Sequence, residues 1–303
     1  MIDIKTCRKS ELQETEFLTN RTSIACQGVE GAYSQIAANA VFKQPDVMYM
    51  RTFDGVFRAV DKGLCRYGIL PLENSNAGSV TDVYDLMKAY KFFIVRSVKV
   101  SISHMLLQKK KTNIEKIKEI YTHEQAARQC SKFLEQNDYI KINLSANTAA
   151  AAQFVAESER DDIAAIASEN CIRLYNLTAS SKNIQNNDNN YTRFICISKE
   201  CEIFDNADRI SLMLSLENKA GALYEVIKQF AENQLNLIKL ESRPIADTDF
   251  EFMFYFDVQA NIENENVRIL LEQLKKSTRH LAFLGNYKEI KFTPDFSQAN
   301  PAI

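Results

Sequence analysis

The sequence predicts an α/β protein followed by a smaller α+β domain, and three observations support this prediction. Between about Ser23 and Ile197, short apolar runs alternate with segments of helical periodicity, which is typical of strands joined by crossover helices. Beyond about residue 208, the predicted order changes to βαββαβ. The polar segment SKECEIFDNAD separates the two regions and has the composition of a linker.

The first region contains candidate strands with helical segments such as AARQCSKFLEQ between them. The strands are SIACQG, VMYMR, YGILPL, KFFIVRSVKV, EIYTH, IKINLS, DIAAIAS and RFICIS. The Asn-rich string NIQNNDNNY lacks apolar periodicity and is predicted as a loop. In the second region the elements are RISLMLSLE, GALYEVIKQFAENQ, LNLIKLESRPI, FEFMFYFDVQA, ENVRILLEQLKKST and AFLGNYKEI. This order predicts a ferredoxin-like fold with both helices on one face of an antiparallel sheet.

Composition limits the classes of function. The 303 residues include 37 Lys and Arg against 39 Asp and Glu, a formal net charge of −2, which favours neither nucleic acid nor an anionic membrane as partner. No segment approaches the about 20 apolar residues of a membrane span, and the charged N-terminus lacks a signal sequence, so we expect a cytoplasmic protein. Seven cysteines without a CxxC pair predict reduced thiols and no metal site.

Five polar clusters lie at the ends of predicted strands, at residues 28–34, 71–80, 121–130, 145–148 and 189–194, and in the second of them a helix is expected to begin near Ser79. In α/β sheets, the carboxyl ends of strands and the following helix N-termini form binding sites for anionic ligands. If the clusters converge, they suit a small ligand with carboxylates and hydroxyls. The alternative is a set of ordinary capped turns, because Asn and Ser are common turn residues. His123 alone is more often a structural hydrogen-bond partner than a general base.

Six ordered motifs carry a resemblance to a known family: GVEGAYS, FDGVFRAVDKG, YGILPLENSNAGSV, EIYTHEQAARQCSKFL, AAIAS and TRF. Together they resemble the prephenate dehydratase family over about Cys26 to Ile197. The final βαββαβ unit, with GALY at Gly221 to Tyr224 and ESRP at Glu241 to Pro244, is similar to the ACT regulatory domain of these enzymes. The resemblance implies a bilobed catalytic domain like a type II periplasmic-binding protein, with the substrate between its lobes.

The resemblance also implies a division of the chain. The expected parts are an N-terminal extension at 1–22, a catalytic domain at 23–200, an ACT domain at 208–292 and a C-terminal tail at 293–303. Within the catalytic domain, lobe 1 is expected at about 23–101 and 190–200, and lobe 2 at about 102–189. Pairing of ACT domains implies a homodimer or homotetramer.

The implied activity is the decarboxylating dehydration of prephenate to phenylpyruvate in phenylalanine biosynthesis, with no cofactor. Thr192 is implied as the catalytic residue, donating a hydrogen bond to the departing hydroxyl. The implied substrate-binding residues are Glu73, Asn74, Ser75, Thr122, Gln129, Asn190 and Arg193. L-Phenylalanine is implied as a feedback inhibitor, and its implied site consists of Gly221, Ala222, Leu223, Glu241, Ser242, Arg243 and Pro244.

Several alternatives stay open at this point. An arogenate dehydratase would act on a substrate with an amino group in place of the keto oxygen, and no single residue decides between the two. The third alternative is a non-enzymatic sensor of aromatic metabolites. The presence of Thr192, the implied catalytic residue, argues against this alternative. Arg193 is nearly as well explained by a structural salt bridge as by a substrate carboxylate. The ACT domain could also serve only for dimerisation.

Overall fold

The computed structural model describes residues 8–9, 14–109, 113–245 and 251–294. These residues form two compact units, each with its own hydrophobic core. The N-terminal unit consists of Arg21–Val83 and Val98–Phe194, with the described residues from Lys291 onward. The C-terminal unit consists of Tyr84–Ser97 and Ile195–Ile290, with the described residues before Arg21. Most of the expected N-terminal extension and C-terminal tail, residues 1–7, 10–13 and 295–303, lies outside the described residues.

The elements are numbered in chain order. The strands are β1 (Arg8–Lys9), β2 (Thr22–Gln27), β3 (Pro45–Met50), β4 (Tyr67–Asn74), β5 (Gly78–Ser79), β6 (Phe93–Ser101), β7 (Met105–Gln108), β8 (Glu119–Thr122), β9 (Lys141–Leu144), β10 (Ile163–Ala167), β11 (Thr178–Ser181), β12 (Tyr191–Ser198), β13 (Glu202–Ile203), β14 (Arg209–Ser215), β15 (Asn236–Pro244), β16 (Phe252–Gln259) and β17 (His280–Phe292). The helices are α1 (Glu14–Thr19), α2 (Tyr33–Val41), α3 (Phe53–Asp61), α4 (Thr81–Tyr90), α5 (Glu124–Gln129), α6 (Ser131–Glu135), α7 (Thr148–Glu157), α8 (Asn170–Leu174), α9 (Ala222–Glu232) and α10 (Glu265–Ser277).

The first sheet of the N-terminal unit contains β2, β3 and β4 as parallel strands, with β2 between the other two. The connecting helices α2 and α3 both pack on β2 and β4. α3 begins after Thr52, whose hydroxyl oxygen accepts a hydrogen bond from the Gly55 N–H at 3.0 Å. Because the strands are parallel, their carboxyl ends lie at one edge of the sheet, where Gly28 and Asn74 are found.

A second sheet of the same unit has the strand order β11-β7-β10-β8-β9. β8 is parallel to both β10 and β9, whereas β7 is antiparallel to β10. α7 covers β7, β8 and β10 with buried alanines, whose small side chains let the helix approach the sheet closely. Asn147 caps α7 by accepting the Ala150 N–H at 2.8 Å. The edge formed by the carboxyl ends of β8 and β9 carries two further polar clusters.

The C-terminal unit contains β14, α9, β15, β16, α10 and β17, which is the predicted βαββαβ order. The strands form an antiparallel sheet in the order β15-β16-β14-β17, as the ferredoxin-like arrangement requires. α9 and α10 pack on each other. β17 lies beside β6. Gly285 permits this approach, because an added Cβ there would lie 2.1 Å from the carbonyl oxygen of Ile94.

The polar string PLENSNAGSV differs from its predicted structure. A helix was expected to start near Ser79, but β5 pairs back on β4 as a short hairpin and α4 begins at Thr81. The tight turn is stabilised by Asn74, whose Oδ1 accepts the N–H groups of Asn76 and Ala77 at 3.0 and 2.9 Å. This side-chain bond to the backbone keeps the segment out of helical geometry until after the hairpin.

Other predicted elements have mixed outcomes. The loop predicted from Asn183 to Tyr191 is confirmed up to β12, which begins at Tyr191. β7 and β11 were not predicted, because the four residues of β7 are all buried and those of β11 are all half-buried, so neither run shows the alternation of a strand. Cys201 is disulfide-bonded, so the expectation of reduced thiols is wrong at this residue. The free, buried cysteines are Cys26, Cys65, Cys130, Cys171 and Cys196. Within the part of the chain that the structure describes, no helix is both long and apolar enough to cross a bilayer.

Candidate active site

The N-terminal unit contains a cavity of about 490 Å³, here called the main cavity. Every one of the five polar clusters contributes to its wall. The polar contributors are Tyr33, Ser34, Asn74, Ser79, His123, Gln125, Gln129, Asn147, Thr148 and Thr192. Phe53, Ile102 and Phe194 add apolar surface, which suits a ligand with a ring. The clusters that the sequence places at separate strand ends therefore meet at one site.

Thr192 lies on the wall of the main cavity as the second residue of β12. The buried side chain of Asn74 donates a hydrogen bond from Nδ2 to Thr192 Oγ1 at 2.9 Å. This bond occupies a lone pair of the hydroxyl oxygen and leaves its proton available for a bond to a ligand. The geometry makes Thr192 a hydrogen-bond donor on the cavity wall.

Three side-chain amides form a closed cycle of hydrogen bonds beside Thr192, here called the amide ring. Asn74 Nδ2 donates to Asn190 Oδ1 at 2.9 Å, and Asn190 Nδ2 donates to Gln129 Oε1 at 3.0 Å. Gln129 Nε2 closes the ring with a longer bond to Asn74 Oδ1 at 3.4 Å. The ring joins the end of β4, the loop before β12 and the end of α5, and so fixes the position of Asn74.

Five of the seven predicted substrate-binding residues do not line the main cavity, and three of these five line a different cavity. Glu73, Ser75 and Arg193 line a second cavity of about 530 Å³ together with Lys99 and Lys291. The physical reason is the alternation of a strand, which turns Thr192 and Arg193 to opposite faces of β12. Arg193 is buried and donates from Nη1 to Glu73 Oε1 at 3.0 Å. The salt-bridge alternative for Arg193 is thus the contact that the structure contains.

Two more predicted residues support the site from behind its wall. Thr122 is fully buried, and its hydroxyl donates to the Ile166 carbonyl at 3.1 Å, a bond between neighbouring strands β8 and β10. Asn190 is also fully buried, within the amide ring. Neither residue is part of the lining of the main cavity. Asn74, Gln129 and Thr192 are the predicted site residues that line it.

The main cavity has an unusual charge balance for an anion site. Of the described residues that line it, Asp82 is the sole carboxylate, and none is Lys or Arg. The first residues of α2, α3, α4 and α7 belong to the lining, so the positive ends of four helices lie at the cavity. Helix dipoles and hydroxyl and amide groups, rather than cationic side chains, supply the favourable field for a carboxylate.

His104 is a residue of the cavity wall that no sequence pattern singled out. It is 2% exposed, and its Nε2 lies 2.9 Å from Gln129 Oε1. Burial lowers the pKa of its imidazole below the ordinary value of 6.5. It directly precedes β7, and recognition of MLLQ as a buried strand would have placed His104 at the sheet edge. Without that strand, it was a lone histidine in an unassigned segment.

His123 has the structural role predicted for it and also lines the main cavity. Its Nδ1 accepts the Gln125 N–H at 3.3 Å and caps α5. Burial lowers the pKa of His123, and the neighbouring Glu124 carboxylate opposes this shift. Since an acceptor nitrogen carries no proton, His123 is held as the neutral tautomer with its proton on Nε2.

The predicted effector residues lie in the C-terminal unit at two places in its fold. Gly221 precedes α9 with a left-handed backbone (φ 84°), and Ala222 and Leu223 begin that helix. Glu241 to Pro244 end β15, on which α9 packs. Arg243 bonds Asp85 of α4 through two guanidinium nitrogens, at 2.9 and 3.4 Å. This ion pair raises the pKa of Arg243, which stays cationic.

Sequence comparisons relate the chain to enzymes of aromatic biosynthesis. The profile of the prephenate dehydratase family matches residues 24–202. The chain is 34% identical over 277 residues to a bifunctional chorismate mutase/prephenate dehydratase of Enterobacter agglomerans, covering 89% of this chain and 72% of that protein. It is also 34% identical over 292 residues to arogenate dehydratase/prephenate dehydratase 2 of Arabidopsis thaliana, a chloroplastic protein, covering 92% and 76%.

Solved structures of similar fold cover most of the chain. A prephenate dehydratase from Arthrobacter aurescens in complex with L-Phe has a TM-score of 0.80 and 25% identity, covering 88% of this chain and 89% of that one. GqqA, described as a novel type of quorum quenching acylase, has a TM-score of 0.80 and 27% identity, covering 88% and 98%. The fold of the two-sheet N-terminal unit is therefore that of the solved prephenate dehydratases.

Proposed function

The chain belongs to the prephenate dehydratase family, and on that premise we propose that prephenate is converted to phenylpyruvate in the main cavity, at Thr192. The observation that carries this proposal is the hydrogen bond from Asn74 to Thr192 Oγ1, which leaves the hydroxyl proton available on the cavity wall. The amide ring holds Asn74, and apolar residues offer surface to the ring of the substrate.

The reaction breaks two bonds of the substrate. The bond from the ring to its carboxylate breaks, carbon dioxide leaves, and the electron pair moves into the ring. The bond to the ring hydroxyl breaks at the opposite carbon, and the departing oxygen takes up one proton to become water. The prephenate dianion and one proton thus yield phenylpyruvate, carbon dioxide and water. Because aromatisation drives the reaction, the protein must supply orientation and stabilise the departing oxygen.

Thr192 stabilises the departing oxygen as a hydrogen-bond donor. A threonine hydroxyl is too weak an acid to give up its proton at neutral pH, so the proton that completes the water comes from elsewhere. The bond from Thr192 becomes stronger as negative charge develops on the oxygen, and such a bond lowers the barrier. The single bond that Asn74 donates to Oγ1 keeps this proton directed away from Asn74.

Glu73, Ser75 and Arg193 position the strands that carry these groups. Ser75 accepts the Tyr191 N–H through Oγ at 3.0 Å, and its own N–H donates to the Tyr191 carbonyl at 2.9 Å. The ion pair between Arg193 and Glu73 adds a second link between β4 and β12. These contacts hold Asn74 at hydrogen-bond distance from Thr192, and we assign the three residues this role in place of direct substrate contact.

Arogenate is the second candidate substrate, and the charge of the cavity favours it. Arogenate carries an ammonium group in place of the keto oxygen, so its net charge is less negative than that of prephenate. Asp82 is the sole carboxylate among the described lining residues and none of them is Lys or Arg, so the positive helix ends have less negative charge to balance with a monoanion than with a dianion. The Arabidopsis relative is named for both activities. The same cavity chemistry would convert arogenate to phenylalanine, carbon dioxide and water.

We propose that the C-terminal unit is an ACT domain that binds L-phenylalanine and inhibits the enzyme. Its βαββαβ order and antiparallel sheet support this proposal, and the related Arthrobacter enzyme was solved with L-Phe. The proposed site is Gly221 to Leu223 with Glu241 to Pro244, where the positive end of α9 suits a carboxylate. We assign the catalytic domain to residues 23–200 and the ACT domain to residues 208–292. We further propose that pairing of ACT domains forms a homodimer or homotetramer.

Turnover of the two substrates by the purified protein tests the function. We expect formation of phenylpyruvate from prephenate, or of phenylalanine from arogenate, with inhibition when L-phenylalanine is added. The ratio of kcat/KM for the two substrates decides which dehydratase this is. Binding of both compounds without turnover of either would contradict the proposal and favour a sensor. Turnover that is insensitive to L-phenylalanine would contradict the regulatory role alone.

A further inference from the structure

His104 is a buried polar residue of the main cavity with no role in the proposed mechanism. Its Nε2 lies 2.9 Å from Gln129 Oε1. Its Nδ1 is buried and has no hydrogen-bond partner among the residues that the structure describes. A buried ring nitrogen without a partner is costly if it carries a proton, so the position of the proton on this ring matters.

The direction of every hydrogen bond in the amide ring follows from one atom of Asn74. Two backbone N–H groups, of Asn76 and Ala77, point at this atom, and a backbone N–H can only donate. The atom is therefore Oδ1, and the other end of the amide is the donor Nδ2. Asn74 must donate to Asn190 Oδ1, and Asn190 must in turn donate through Nδ2. The atom of Gln129 that faces Asn190 is then the oxygen.

Gln129 Oε1 also determines the tautomer of His104. This oxygen accepts from Asn190 at 3.0 Å and faces the imidazole Nε2 at 2.9 Å. Since the oxygen can only accept, Nε2 carries the proton. Nδ1 is then unprotonated, which agrees with its lack of a partner. His104 is a neutral imidazole that donates one hydrogen bond, to the amide ring.

We propose that His104 is a positioning residue of the dehydration, whose Nε2–H holds Gln129 in the orientation that keeps Asn74 donating to Thr192. The inference rests on the proposed role of Thr192. Apart from His104, Gln129 is held in the ring by Asn190 and by the long 3.4 Å bond to Asn74. Without the imidazole, the Gln129 amide on the cavity wall is free to rotate towards the cavity, and the ring opens. Asn74 keeps the Asn76 and Ala77 N–H groups at Oδ1, but the amide ring no longer restrains Nδ2, the end that donates to Thr192.

Two substitutions of nearly equal shape test whether the donated hydrogen bond matters. His104→Gln retains an N–H donor near the position of Nε2, whereas the ionised side chain of His104→Glu can only accept. We expect kcat for the Gln variant within about threefold of wild type, and a loss of about 10- to 100-fold for the Glu variant. We expect KM to change less than kcat in both variants. The amide ring acts through Asn74 and Thr192 on the departing oxygen, whose charge develops only in the transition state. Lowering the pH should restore kcat in the Glu variant relative to wild type, since a protonated carboxyl can donate.

Controls separate folding and the proposed function from this inference. His280→Gln, at an exposed position of β17, controls for the loss of an imidazole elsewhere. Thermal unfolding shows whether each variant is folded. Nitrogen NMR of the resting enzyme with labelled histidine reports the tautomer of His104 independently of turnover. At neutral pH we expect His104 Nε2 to be protonated and Nδ1 to be unprotonated. The opposite tautomer, or equal losses in the folded Gln and Glu variants, would overturn the proposal.

Discussion

His104 and His123 are both kept neutral by their surroundings, although each by different contacts. His104 is fully enclosed and donates through Nε2 to Gln129. His123 is half-buried and accepts the Gln125 N–H through Nδ1, which a protonated nitrogen cannot do. Burial is the largest cause of the lowered pKa at both residues. Protonation of either histidine therefore opposes the folded state.

This neutrality predicts a pH dependence of stability. In the unfolded chain both histidines regain a pKa of about 6.5, whereas the folded pKa values lie lower. The unfolded state thus binds protons first as the pH falls, and the free energy of unfolding decreases below about pH 6.5 until the folded pKa is reached. We expect His104→Gln to lose less stability than wild type between about pH 7 and pH 5. Urea denaturation across this range measures the difference, and identical pH slopes would contradict it.

At the scale of elements, the pairing of β17 with β6 depends on a glycine. Gly285 has φ 148° and faces the backbone of Ile94, where an added Cβ would lie 2.1 Å from the carbonyl oxygen. A backbone atom of a paired strand cannot move aside as a flexible side chain can. The strands must therefore separate locally if any side chain is added at this position.

Gly285→Ala is accordingly expected to lower the free energy of unfolding by more than about 2 kcal/mol. Gly63→Ala is the matched control, because Gly63 also has a positive φ but no atom lies within 4 Å of its added Cβ. The control should lose about 1 kcal/mol, the cost of the left-handed backbone alone. Chemical denaturation of both variants gives the comparison, and equal losses would show that the contact with Ile94 is not limiting.

The elements also show which parts of the fold a sequence pattern reveals. β15 alternates exposed and half-buried residues, and α9 and α10 have clear apolar faces, so the βαββαβ order was predicted correctly. β10 is a continuous buried run of five residues and was also found. The hairpin of β4 and β5 was missed, since it depends on bonds from Asn74 Oδ1 that compete with helix formation. β7 has four buried residues, too few to show a period.

For the whole molecule, the convergence of the polar clusters was predictable but their orientation was not. The clusters lie at strand ends or in the helix that follows a strand, and Asn74 at the end of β4, Gln129 at the end of α5 and Thr192 at the start of β12 share a cavity. The turning of Arg193 to the other face of β12 follows from strand alternation once the register is known. The bond of Asn74 to Asn190 joins residues 116 positions apart, and no local pattern reveals such a partner. The contact of His104 with Gln129 likewise joins residues that are distant in the sequence, so no local pattern indicated a role for His104.

The proposed activity of the molecule depends on the hydroxyl proton of Thr192. Thr192→Val keeps the shape of the side chain and removes the hydroxyl, whereas Thr192→Ser keeps the hydroxyl that Asn74 orients. Thr178→Val, on β11, is a control in which a half-buried threonine is lost outside the lining of the main cavity. Binding of substrate by the Val variant should be retained, because the bond forms its full strength only as the oxygen departs.

The most direct measurement is the rate of phenylpyruvate formation from prephenate by wild type, Thr192→Ser and Thr192→Val, with arogenate run in parallel. We expect kcat of the Val variant to fall by at least about 10²-fold, and that of the Ser variant by less than about tenfold. A Val variant with the turnover of the wild-type protein on its preferred substrate would contradict the central role of Thr192.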